Sequence, residues 1–96
     1  MPVPVTIAEL RQSVNRCLDL CEQHLGSEVN LDADYYWLIE PSHAFDVYQE
    51  AAVVVGQLTN DLDEIRDNPA ASVHEAWHEL GHVLGPLARL AGLMST

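Results

Sequence analysis

The residues with the clearest chemical potential lie in one nine-residue stretch, HEAWHELGH, residues 74–82. It spells H-E-x-x-H twice, once from His74 to His78 and once from His78 to His82. On a helix, residues four apart stack on one face, so either histidine pair can present two imidazole nitrogens to one zinc ion. The glutamate beside the first histidine can then take a proton from a metal-bound water. His74 and His82 are about 12 Å apart in helical rise, so all three histidines cannot serve one ion. The metal reading therefore has two forms: His78 with His82 and Glu79 as catalytic base, or His74 with His78.

The second copy continues as HELGHVLGPLA and resembles the opening of the extended metzincin peptidase motif, H-E-x-x-H-x-x-G-x-x-H. His78, Glu79, His82 and Gly85 match, whereas Ala88 stands where the third histidine ligand belongs. The resemblance implies a zinc hydrolase, but the remaining VLGPLARLAGLMST holds no His, Asp, Glu or Cys to replace that ligand. A third donor must come from upstream, from His24, His43 or an acidic side chain. The competing expectation follows from helical projection. Val73, Ala76, Trp77, Leu80, Val83, Leu84 and Leu87 form one apolar stripe, with the histidines on the opposite, solvated side. This second expectation is the one adopted: no metal and no cofactor, with zinc as the alternative.

Charge narrows the functional classes further. The 96 residues include fifteen acids and four arginines, with no lysine and a net charge of −11. Between Cys17 and Ile65 there are eleven acids and no Lys or Arg. Such a field repels nucleic acid and anionic membrane and attracts basic partners or cations. No apolar run approaches the roughly 18 residues that span a bilayer, and there is no glycine-rich phosphate loop. The N-terminal MPVPVTIAELRQ lacks a basic segment followed by an apolar one, so the expected location is the cytoplasm. Cys17 and Cys21 lie four apart on an apolar helix face and read as core packing rather than as a disulfide or, with His24, a ligand set. Asp32-Ala33-Asp34 lacks the glycine and distal glutamate of a calcium loop.

The elements that must position these residues form a mainly helical α+β domain over residues 1–96. Thr6 and Glu9 form a capping box ahead of a helix at 7–25, with Gly26 at its end. YYWLI and AVVVG are expected to pair as a small antiparallel ribbon, the valines buried. Between them, Ser42 is placed to cap a short helix reaching Tyr48. Leu58, Leu62 and Ile65 mark a further helix that Asn68-Pro69 breaks. Pro69 is placed to start a last helix over 70–84, which Gly85-Pro86 ends or kinks.

The segments LDADYYWLIEP and VGQLTNDLDEI resemble those of a family of small acidic bacterial proteins. Its pattern is acidic-x-acidic-Tyr-Tyr-Trp, then G-Q-L-x-x-D leading into an acidic helix. Asp32, Asp34, Tyr35, Tyr36, Trp37, Gly56, Gln57, Leu58 and Asp61 match. The resemblance brings no catalytic residues with it. The functional expectation is a non-enzymatic interaction protein, in concrete form an immunity or inhibitor protein that binds a basic partner. Asp32, Asp34, Tyr35, Tyr36, Trp37, Asp61, Asp63 and Glu64 are the candidate contact residues. A homodimer, using leftover apolar helix surface, is compatible with the same composition.

Overall fold

The computed structural model describes residues 2–95, with the side chains of Pro41 and Ser42 left aside. The chain divides into two compact units, Met1–Asn30 and Leu31–Thr96.

The first unit is built on one helix, α1, Ile7–Leu25. It starts where its local chemistry says it should. The Thr6 hydroxyl accepts from the Glu9 amide at 3.1 Å, and the Glu9 carboxylate accepts from the Thr6 amide at 2.7 Å. This reciprocal pair satisfies two donors that a helix start otherwise leaves open. Gly26 closes α1 at φ +95°, a backbone angle that glycine adopts without strain. α1 buries none of its residues. Cys17, expected in a packed face, is exposed, and both cysteines are free thiols.

The second unit contains β1 (Tyr35–Ile39), α2 (Pro41–Ala44), β2 (Val53–Gln57), α3 (Leu58–Asp67) and α4 (Val73–Met94). The strands pair antiparallel, with Tyr35 opposite Gln57, Trp37 opposite Val55 and Ile39 opposite Val53. Together these elements make the fold α+β and mainly α, with a two-stranded antiparallel ribbon. α3 packs on α4. Among the described residues no helix is long and apolar enough to cross a membrane.

Four expectations need correction. The short helix after β1 begins at Pro41, which occupies its first turn, and ends at Ala44, well before Tyr48. The Ser42 side chain, expected to cap it, lies outside the described set. The three valines of β2 are exposed rather than buried, because a two-stranded ribbon has no second layer over most of its length. The last helix starts at Val73, where the Ser72 hydroxyl accepts from the Glu75 amide at 3.3 Å, and it runs on through Pro86 to Met94. A mid-helix proline loses one hydrogen bond and crowds the preceding turn, yet α4 does not end there.

The fourth correction concerns which side of α4 faces inward. Of the expected core stripe, Val73, Trp77, Leu80 and Leu84 are exposed. The inward contact of α4 is made instead at Gly85, which is buried, and at His82, which is largely covered, whereas His74 and His78 stay exposed as expected. The reason is Asp61. It is 4% exposed, and a carboxylate buried to that degree requires donors. The His82 ring and the Tyr36 hydroxyl meet that requirement, so α4 presents its polar face to Asp61.

Candidate functional site

Two features of the second unit carry chemistry: a polar cluster between α3 and α4, and one face of the ribbon.

The cluster grows from a chain of three side chains. The Tyr36 hydroxyl donates to Asp61 Oδ2 at 2.5 Å. Asp61 Oδ1 lies 2.8 Å from His82 Nδ1. His82 Nε2 lies 3.3 Å from His78 Nε2. The carboxylate fixes the tautomer. With Nδ1–H directed at Asp61, the neutral ring of His82 has its lone pair on Nε2, the nitrogen that faces His78. Glu64, on α3, brings a carboxylate oxygen into the same space, and ligand atoms of Glu64, His78 and His82 all lie within 4.8 Å of one another. Among the described residues this is the group with the composition and spacing to hold a metal ion.

Tyr36 reaches Asp61 because two glycines make room. A Cβ on Gly56 of β2 or on Gly85 of α4 would fall within 3 Å of the Tyr36 ring or its hydroxyl. The phenol is pushed up to about 12, by burial first and then by the adjacent Asp61 carboxylate, so it is a neutral donor across the physiological range.

Beside the cluster is an open cleft of about 570 Å³ between α3 and the front half of α4, bordered by Glu64, His74, Trp77, His78, Glu79 and His82 among others. The overlapping motif is thereby resolved in space. His78 and His82 converge, whereas His74 is exposed and lies farther along the cleft. Glu79, the base that a hydrolase of this motif requires, has one oxygen on the Ala70 amide at 3.0 Å. Glu75 likewise accepts from the Ala71 amide at 3.0 Å. Both glutamates therefore hold the turn that leads into α4.

The eight contact candidates separate into groups. Asp34 is a structural acceptor: its carboxylate takes the Thr59 amide at 2.8 Å, the Thr59 hydroxyl at 2.7 Å and the Gln57 side-chain amide at 3.0 Å. Those bonds, from Gln57 first, hold it below the ordinary carboxylate range. Asp32 pairs with Arg89 on α4, whose Nε donates at 2.7 Å, and this bond lowers the Asp32 carboxyl. Tyr36 and Asp61 belong to the internal chain, and Glu64 to the metal-type cluster. Asp63 stays exposed. Tyr35 and Trp37 are 67% and 78% exposed. They share a ribbon face with Ile39, Val53 and Val55, all exposed as well.

Asp61 as the partner of His82, and Glu64 as a donor beside the histidines, were not expected from the sequence. The available signal was helical spacing: Asp61 and Glu64 lie three apart and so share one face of α3. The chain matches no protein-family model, and no match is found among curated proteins or solved structures.

Proposed function

We propose that this chain is a non-enzymatic acidic interaction protein whose ribbon face binds a basic partner protein. The observation that carries this reading is the exposure of Tyr35 and Trp37 side by side with Ile39, Val53 and Val55. A contiguous apolar patch with two large aromatics is a usual mark of a binding surface. Tyrosine and tryptophan are the residues that most often anchor such interfaces. Charge selects the partner. Residues 31–96 hold eleven acids against two arginines, and Arg89 is already paired with Asp32. Such a field speeds encounter with a cationic protein. In concrete form the protein is a stoichiometric inhibitor of a basic toxin, such as a nuclease, acting in the cytoplasm.

The test is capture of partners from the native host at low salt, followed by elution with rising salt. A basic protein retained by the wild type and lost from Trp37→Ala supports the reading. Recovery of none, or equal recovery by both, sinks it.

A second reading draws on a separate observation. Val73, Trp77, Leu80 and Leu84 form an exposed stripe at four- and three-residue spacing on α4. That spacing is the seam of paired helices, and it supports self-association of the chain. The hydrolase reading is weakened by Glu79, which is engaged with the Ala70 amide.

A further inference from the structure

We infer that Glu64, His78 and His82 form a binding site for a zinc-class divalent metal ion, with Asp61 holding His82 in place. The site is independent of the ribbon face and of any partner.

The geometry of the two imidazoles is the first argument. Zinc–nitrogen bonds are about 2.0–2.1 Å long, so two nitrogens on one tetrahedral ion stand about 3.3–3.4 Å apart. His78 Nε2 and His82 Nε2 are 3.3 Å apart. Without an ion, the same distance suits an N–H···N bond, in which His78 Nε2 carries the proton. On binding, that proton moves to His78 Nδ1 or to water, and both Nε2 lone pairs face the ion.

The surroundings supply the second argument. Ligating histidines usually donate their other nitrogen to a carboxylate, which orients the ring and raises its basicity. Asp61 does this for His82 at 2.8 Å and is itself fixed by Tyr36. A buried carboxylate aimed at the far nitrogen of one member of a histidine pair is more than a polar helix face requires.

The third argument is the donor set. Two imidazoles and one carboxylate suit zinc and its neighbours rather than calcium or magnesium, which prefer all-oxygen shells. Glu64 comes from α3 and the histidines from α4, so a bound ion would pin the two helices together. Binding would require the Glu64 oxygen, now within 4.8 Å of both nitrogens, to close to about 2 Å from the ion. The fourth position opens into the cleft, where water or an outside ligand completes the tetrahedron. One oxygen of Glu79 accepts from the Ala70 amide, so the inference is confined to binding of the ion and assigns it no reaction.

The test uses full-length, tag-free protein stripped with a chelator. Calorimetry with zinc alone should show one ion per chain, with a dissociation constant on the order of micromolar or tighter. His78→Ala and His82→Ala should each weaken binding about a hundredfold or more, and Glu64→Gln about tenfold. His74→Ala should leave it unchanged, which separates the two overlapping motifs. His78 is exposed, so its replacement should keep the fold, checked by circular dichroism. Cobalt(II) provides the second readout: the wild type should give the intense visible bands of a tetrahedral site. Asp61→Asn, where circular dichroism shows it folded, should keep the shape of those bands at an affinity about 10–100-fold lower. The inference is overturned by absent or much weaker binding, by His74→Ala costing as much as His78→Ala, or by a six-coordinate cobalt spectrum.

Discussion

The Tyr36 hydroxyl lies 2.5 Å from Oδ2 of Asp61, joining the inner face of the ribbon to the buried carboxylate of α3. Tyr36→Phe removes that donor and keeps the ring. It should cost about 1.5–3 kcal/mol, the usual worth of a hydrogen bond to a charged group. Its pH dependence gives a second signature. The phenol sits near 12 in the folded protein against an ordinary 10.0. The folded state thus holds this proton more tightly, and the contribution is fully present below about pH 10. It is lost as pH rises toward 12. Denaturant unfolding from pH 8 to 12 should show this loss in the wild type and not in Tyr36→Phe.

Gly85→Ala should destabilise the second unit by about 1–3 kcal/mol, the common range for overpacking. The added methyl would press on the Tyr36 hydroxyl and on Asp61 together. Gly81→Ala is the control on the same helix, because a Cβ there meets nothing within 4 Å. That change should be neutral or slightly stabilising, since alanine is the better helix former. Thermal melts of the two variants decide the point.

Asp34→Ala should make α3 fray from its start, because Thr59 loses the acceptor of both its amide and its hydroxyl. In the wild type, the carboxyl is held below its ordinary value by these bonds. Its stabilising effect is therefore present above the ordinary carboxylate range and disappears as pH falls through the folded value. The melting temperature of the wild type should fall in acid more steeply than that of Asp34→Ala, which has no such charge to lose.

Trp37→Ala should change stability by less than about 0.5 kcal/mol, as expected for a side chain that is mostly solvated. Affinity for a captured basic partner should fall tenfold or more, as for an anchor residue. A large loss of stability in this variant would place Trp37 in the packing and remove the main support for the ribbon as a contact surface.

Leu80→Glu should affect only association between copies. If the exposed α4 stripe is a seam, sedimentation of the wild type will show a concentration-dependent dimer that this variant lacks. Equal monomeric behaviour of both proteins would assign no such role to the stripe.

The parts of this fold that local chemistry decides were readable in advance. The Thr6–Glu9 box and Gly26 fix both ends of α1, and Pro41 marks the end of β1. The pairing of the two strands followed from their composition alone. The orientation of α4 did not, because periodicity reveals that two faces differ without saying which one a neighbour will cover. That choice rests on contacts 21 and 25 residues apart in sequence, His82 to Asp61 and Tyr36 to Asp61. Asp61 and Glu64 were expected as outward contact residues, since net charge carries no information about which carboxylate is buried. The H-E-x-x-H spacing named His78 and His82, which the fold brings to 3.3 Å of each other, but it gave no hint that Glu79 would accept from the Ala70 amide.

Pro86 gives α4 an uneven mechanical character. It has no amide hydrogen to offer the main-chain carbonyl four residues back, and that carbonyl belongs to His82. The helix is thus scored at the level of the cluster. Its front half bears the histidines, and its rear half bears Arg89 with its tie to Asp32. Two segments joined at such a notch can open to solvent separately, as distinct cooperative units of hydrogen exchange.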